Sequence, residues 1–231
     1  KLKYPVDVQP KIDGNRTMAY WEDNKLILMS RSGKVWKNLK HIEDRIAEFL
    51  PKQFILDGEV YRPGLNLQGV NKLIKKFRPG LDGTEGLKFY AFDILEIDED
   101  QPWSERKATL FNLFFHWKKS EDILFEVDSK EVDTEKEVLD LCDKYVKEGW
   151  EGAIVRNKHG LYELGERSSN LLKVKNFQDD EFLIVDTYLG EGKHEGCLGF
   201  TCQANSSKTA PKPKVPDTVT FGCYPRGSLE T

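Results

Sequence analysis

The sequence contains no C-x-x-C pair and no apolar run near the roughly 18 residues that a membrane-crossing helix needs. Its first residues, KLKYPVDVQP, lack the apolar stretch of a signal peptide. These absences argue against a membrane span and a secretory leader, and they predict a soluble, intracellular protein. Cysteine is scarce: Cys142, Cys197, Cys202 and Cys223 are the only four, and none has a histidine at zinc-finger distance. They read as reduced thiols, not as a disulfide framework or a metal site. Disorder is not expected, because 39% of the 231 residues are hydrophobic and 11% aromatic, enough to bury a core. That length suits one large domain, or one domain and part of another.

A net charge of -4 looks wrong for a protein that handles polyanions until its distribution is read. Between Asp93 and Glu151 stand 18 acidic and 8 basic residues, and the remainder carries 27 basic and 21 acidic ones. The acidity is segregated. Local field, not total charge, steers a polyanion, so a basic face with an acidic back is compatible with phosphate binding. An ordinary solvated acidic surface accounts for the acidic segment equally well.

Alternating runs rich in β-branched and aromatic residues at Val6–Gln9, Thr17–Trp21, Lys25–Arg31 and Phe54–Tyr61, separated by polar turns, predict antiparallel strands. Helical spacing marks His41–Leu50, Leu67–Phe77, Ala108–Trp117 and Val138–Val146. The last has a capping box in Thr134-x-x-Glu137 and a stop at Gly149. No regular βαβ rhythm connects them, so the expected class is α+β. After Phe177 the pattern turns all-β, with strand-like runs from Phe182 to Leu189, Cys197 to Ala204 and Thr218 to Cys223.

Lys11-Ile12-Asp13-Gly14-Asn15-Arg16 ends the first of these strands. A K-x-D-G-x-R match arises by chance in a chain this long with a probability of about 3 in 1,000. A deprotonated lysine amine attacks electrophilic phosphorus, and Gly14 is expected to let the backbone approach a phosphate with no Cβ in the way. A charged turn between strands uses the same residue types. Further along, in order, come Ser30-Arg31-Ser32-Gly33, Leu56-Asp57-Gly58-Glu59-Val60 and Phe89-Tyr90-Ala91-Phe92-Asp93-Ile94-Leu95. Glu148-Gly149-Trp150-Glu151-Gly152-Ala153-Ile154-Val155-Arg156 and Leu171-Leu172-Lys173-Val174-Lys175 complete the set.

This ordered set closely resembles the motifs of the covalent nucleotidyltransferases, and among them the ATP-dependent DNA ligases of phages and viruses. The likeness runs from about Val6 to Cys223. It implies a nucleotidyltransferase (ATP-grasp-like) adenylation domain of antiparallel sheets flanked by helices over residues 1–177, then an OB-fold β-barrel over 178–231, incomplete at its C-terminus. It also implies a monomer that seals nicks in duplex DNA with ATP and Mg²⁺ or another divalent metal. Lys11 would carry AMP through a P–N bond, so its pKa must fall from about 10.4 towards neutrality. Lys173 and Lys175 would lie at the AMP phosphate and Phe92 against adenine. Glu59 would accept from a ribose hydroxyl, Arg16 would donate to one, and Gln9 would read the adenine edge. Glu151 would hold the metal. Asp13 would act when a DNA 3′-hydroxyl attacks, Arg31 would bind phosphate, and Arg167 would contact DNA. The Ser-, Lys- and Pro-rich stretch 205–216 is expected to be an exposed loop whose Lys208, Lys212 and Lys214 touch the DNA backbone.

The likeness is incomplete at the end of the chain. Residues 178–231 leave room for about half of a five-stranded barrel, and the final basic motif that orients pyrophosphate in the family is missing. RNA ligases and mRNA-capping guanylyltransferases use the same lysine chemistry, and a catalytically inactive nick-binding module is a further alternative. Nothing resembles the N-terminal, zinc-binding or helix-hairpin-helix parts of NAD-dependent ligases.

Overall fold

The structure, a computed structural model, describes residues 2–75, 84–117, 123–164, 168–175, 181–206 and 219–224, apart from the side chains of Lys75 and Lys193. The chain divides into two units, Lys1–Asn176 and Phe177–Thr231.

Strand alternation builds the first unit. The strands β1 (Val6–Lys11), β2 (Asn15–Glu22), β3 (Lys25–Ser30), β4 (Phe54–Tyr61), β5 (Lys88–Glu96), β6 (Leu124–Glu126), β7 (Lys130–Val132), β8 (Gly152–Asn157) and β9 (Leu171–Val174) form two sheets. One runs β7-β1-β8-β9 and the other β3-β2-β4-β5-β6. All pairings within them are antiparallel except β5 with β6. That parallel pair needs a crossover, supplied by the helix α3 (Trp103–His116) that runs between the two strands. The helices α1 (Lys40–Ala47) and α2 (Leu67–Lys75) belong to the five-stranded side, and α4 (Glu135–Lys147) packs on β1 and β8.

Each sheet has its own core. Under the five-stranded sheet Leu28, Ile42, Ile46, Leu56, Phe89 and Leu110 are buried together. Val6, Val8, Val138, Cys142 and Val155 fill the space between α4 and the four-stranded sheet. Each such aliphatic side chain contributes about 1.5–3 kcal/mol. Strand period then decides what lies on the opposite face. In β4, Leu56 and Val60 point into the core, so Asp57 and Glu59 point away from it.

A β-bulge sharpens this division. Asp57 pairs with Asp93 and the next residue, Gly58, pairs with Ala91, which leaves Phe92 unpaired on β5. Phe89 and Ala91 lie in the core, and after the extra residue Ile94 returns to it. Asp93 is thereby carried to the same face as Asp57. Bulges re-aim side chains in this way, and they recur beside functional sites.

The second unit has three described strands, β10 (Ile184–Leu189), β11 (Leu198–Gln203) and β12 (Thr220–Cys223), in the antiparallel order β10-β11-β12. All four cysteines are free thiols, and Cys202 Sγ lies 3.6 Å from Cys223 Sγ between β11 and β12. No helix among the described residues is long and apolar enough to cross a membrane.

Candidate active site

β1 ends at Lys11 in one sheet and β2 begins at Asn15 in the other, so residues 12–14 carry the chain between the sheets. Gly14 is required there by the protein's own packing. A Cβ at Gly14 would lie 2.4 Å from Val60 O and 2.8 Å from Glu59 Cγ, so it is the β4 strand that approaches its backbone closely.

The end of α4 delivers the residue opposite Lys11. Thr134 and Glu137 form the expected capping box at its start. At its end Gly149 adopts φ +94°, with Gly149 N–H donating to Val146 O at 3.1 Å and Trp150 N–H to Tyr145 O at 2.9 Å. This pair of bonds closes a Schellman motif. The chain leaves the helix so that Glu151 N–H donates to Lys11 O at 2.9 Å, and Gly152 pairs with Lys11 in register. The Glu151 carboxylate then bridges two ammonium groups, Lys11 Nζ on one oxygen and Lys175 Nζ on the other. Lys175 comes from the end of β9, which pairs with β8 from Ala153↔Val174 to Arg156↔Leu171.

Burial lowers the Lys11 pKa to about 8, with help from the positive charges of Lys175 and Lys173 and against the pull of Glu59 and Asp13. An amine in that range is partly deprotonated near neutral pH and keeps a lone pair for attack. The cations that depress it are also placed to receive anionic oxygens, so the end of β1 is equipped for nucleophilic attack on a phosphate-like centre.

On the opposing sheet, Arg16 and Glu59 are cross-strand partners in β2 and β4. Burial, then the Asp57 charge, raise the Glu59 carboxyl to about 8, against Lys11 and Arg16. Arg16 Nε donates to Asp57 Oδ1 at 3.0 Å and Nη2 to Asp57 Oδ2 at 2.7 Å, a bidentate fork on a carboxylate that is fully buried. Tyr162, from the segment between β8 and β9, donates its hydroxyl to Asp57 Oδ2 at 2.6 Å and accepts from Arg16 Nη2 at 2.5 Å. Burial and the Asp57 charge push the Tyr162 hydroxyl above its ordinary pKa. Burial works against the Arg16 charge, but Asp57 overrides it and holds the guanidinium above its ordinary value.

Phe92, on the bulge, is half-buried, with the guanidinium carbons of Arg16 and Arg156 at 6.0 Å and 5.6 Å from its ring centroid. Beneath it lies a buried network that the sequence reading missed. Arg156 donates from Nη1 to Asp93 Oδ2 at 2.7 Å and from Nε to Gln9 Oε1 at 2.8 Å. Arg106 reaches Asp93 through Nε at 2.8 Å and Nη2 at 3.2 Å. Gln9 therefore differs from its expected role: its amide is committed to Arg156 and, at 3.4 Å each, to the carbonyls of Phe92 and Val127. Asp57 stands inside the motif Leu56–Val60, and its i, i+2 spacing from Glu59 was the available signal that both face the site, whereas nothing singled out Tyr162. Nothing in the sequence marked Asp93 as their neighbour, because the bulge is invisible there.

The remaining expected residues are dispersed. Asp13 Oδ2 accepts from Leu67 N–H at 3.2 Å and so caps the first turn of α2. Arg31 is exposed in the turn after β3, which is closed by Gly33 N–H to Ser30 O at 2.9 Å. Lys173 is exposed on β9. Arg167, Lys208, Lys212 and Lys214 lie outside the described residues, as do 178–180 and most of the proposed basic loop. Among the described residues no three His, Cys, Asp or Glu side chains converge as a metal cage. Glu151 nevertheless fits a Mg²⁺ ligand, since its carboxylate is partly exposed and Mg²⁺ takes one or two carboxylates with phosphate oxygens and water.

Known proteins resemble this chain in sequence and in fold. The DNA ligase of African swine fever virus (isolate Pig/Kenya/KEN-50/1950) is 34% identical over 212 residues, which cover 87% of this chain and 49% of the viral protein. The chain thus spans about half the length of these curated relatives. Among solved structures, a Lig E DNA ligase superposes with a TM-score of 0.72 at 21% identity, over 97% of this chain and 78% of that one. Chlorella virus DNA ligase-adenylate gives 0.61 at 20% identity, over 99% and 78%. At such identities the two structures speak for the fold alone. A family model, the ATP dependent DNA ligase domain, matches residues 2–175, every element from β1 to β9, and the chain belongs to that family.

Proposed function

We propose that this chain is the catalytic core of an ATP-dependent DNA ligase that seals nicks in duplex DNA. The carrying observation is the convergence of Lys175 and Glu151 on a half-buried Lys11 whose pKa is brought down to about 8. In the first step the Lys11 Nζ lone pair attacks the α-phosphorus of ATP. A P–N bond forms, the α–β P–O bond breaks, and pyrophosphate leaves with its electron pair. Lys173 and Lys175 neutralise the charge that develops on the phosphoryl oxygens. A divalent metal held by Glu151 would supply further charge neutralisation when bound. AMP then passes to the 5′-phosphate of a nick, and the 3′-hydroxyl of the adjoining strand displaces it.

In this reading Phe92 stacks on adenine, Arg16 donates to a ribose hydroxyl and Glu59 accepts from one. Gln9 contributes by holding Arg156 behind Phe92. Arg31 is exposed and binds phosphate, and Arg167 with Lys208, Lys212 and Lys214 contacts the duplex. Asp13 attends the later attack by the 3′-hydroxyl while also capping α2. The protein acts as an intracellular monomer.

Intact-mass measurement after incubation with ATP and Mg²⁺ tests the reading. The parent should gain the mass of one AMP, and Lys11→Ala should gain none while keeping its circular dichroism spectrum. An adduct of undiminished yield on Lys11→Ala overturns the assignment. A GMP adduct on the parent points to capping chemistry, and transfer of AMP to nicked RNA in preference to nicked DNA points to an RNA ligase.

A further inference from the structure

Arg16 has five N–H donors, and the protein consumes three of them. Nε–H goes to Asp57 Oδ1. The two hydrogens of Nη2 go to Asp57 Oδ2 and to Tyr162 Oη. The Tyr162 hydroxyl is saturated in turn, because it spends its single hydrogen on Asp57 Oδ2 at 2.6 Å and uses a lone pair to accept from Arg16. Nη1 is left with two N–H groups for a ligand. A planar guanidinium held at two edges has no freedom to turn, so the directions of its two remaining donors are fixed.

Tyr162 reaches this place from outside the strands. It sits between β8 and β9, while Arg16 and Asp57 sit on β2 and β4 of the other sheet. The ring lies over Arg106, whose guanidinium carbon is 5.5 Å from its centroid, and Arg106 is anchored on Asp93. The hydroxyl is thus the only tie between the β8–β9 segment and Arg16 among the contacts of the described residues.

We propose that Tyr162 is a positioning residue for nucleotide binding: by occupying the second hydrogen of Arg16 Nη2 and supporting Asp57, it aims Nη1 at the sugar of the bound nucleotide. This rests on the reading of Arg16 as a ribose ligand. Without the hydroxyl, Nη2 regains a free hydrogen, Asp57 loses one of its donors, and the fork holds Arg16 less firmly. Tyr162 touches neither substrate nor the reacting atoms.

The test is a thermodynamic cycle on ATP affinity, measured by calorimetry with the parent, Tyr162→Phe, Arg16→Ala and the double variant, alongside melting temperatures. Tyr162→Phe keeps the ring over Arg106 and should weaken ATP binding by about 10- to 100-fold, the range expected for a hydrogen bond to a charged group. In the Arg16→Ala background the same change should have almost no further effect. A Phe variant that binds ATP like the parent, or a penalty that survives undiminished without Arg16, would each overturn the proposal. Adduct formation by the parent is read separately. Binding without adenylation sinks the ligase reading but not the positioning role, and normal adenylation with an unaffected Phe variant sinks only the role of Tyr162.

Discussion

In the first unit the buried polar set is Asp7, Gln9, Thr17, Asp57, Asp93, Arg106 and Arg156, and each has a hydrogen-bond partner inside the protein. In the second unit the only buried residues among those described are Gly190, Gly199 and Cys202. The two regions are built on different balances. Removing charges from water is tolerated in the first because carboxylates and guanidiniums meet in fixed geometry. The described strands of the second are too few to close a barrel, and they leave Leu183, Ile184, Val185, Leu189 and Leu198 exposed. Rigidity is therefore concentrated around Phe92, Arg16 and Lys11, where a nucleotide would have to be held.

The largest effect that would test this contrast is the removal of a shared carboxylate. Asp93→Ala leaves Arg106 and Arg156, 3% and 5% exposed, without the group that both of them grip. A loss of about 3–5 kcal/mol is expected, as for breaking other buried ion pairs from one side. Denaturant unfolding of the parent and variant measures it. A loss below about 1 kcal/mol would mean that water enters this network and screens the two guanidiniums.

How far this network was legible in the sequence is instructive. Phe54–Tyr61 is the strand that alternation predicts, with identical ends, and the capping box at Thr134 and the stop at Gly149 place α4 correctly. Patterns with a local cause were readable. α3 begins at Trp103 and not at Ala108, because Arg106, a charged residue, occupies its buried face and disguises the apolar period. β6 and β7 have three residues each, too short for any alternation to register. At the site, Lys11, Glu59, Glu151 and Lys175 were legible through the motifs that resemble the family's. The partners of Asp93 and Gln9 were not, since they depend on a bulge and on Arg156, 63 and 147 residues away in sequence.

The next effect in size concerns the chemistry. With the Lys11 pKa near 8, the amine is mostly an ammonium ion below that pH and has no lone pair to offer. The single-turnover adenylation rate should rise about tenfold per pH unit on the acid side and flatten above about 8. Glu59 ionises in the same window, so Glu59→Gln should simplify the profile without abolishing the Lys11 limb. A rate independent of pH between 6 and 8, roughly the interval over which the free amine would form, would mean that proton loss from Lys11 does not limit attack.

Stacking comes third. Phe92→Ala should weaken ATP binding by about 1–3 kcal/mol, and Phe92→Tyr should be nearly neutral. Calorimetric titration of folded variants decides it. Equal affinities for the parent and the alanine variant would reduce Phe92 to a packing residue near Arg16 and Arg156.

The smallest expected effect lies in the second unit and bears most directly on the contrast. β10 has no buried side: Ile184, Val185, Asp186 and Thr187 are all exposed in succession, although strand residues alternate between faces. Leu189, at its end, is 76% exposed, so most of its side chain is already in water and truncation forfeits little burial. Leu189→Ala should change stability by no more than about 0.5 kcal/mol, as is usual for surface substitutions. Ile42→Ala, at a position fully buried in the first unit, should cost about 2–5 kcal/mol from lost transfer energy and the cavity left behind. Both are read by denaturant unfolding, with a tryptophan signal for the first unit, which holds all five tryptophans, and hydrogen exchange at β10 for the second. If Leu189→Ala lowers protection at β10 by more than about 2 kcal/mol, that side chain is covered in solution. The second unit would then have an apolar core of its own, and the sharp difference between the two regions would disappear.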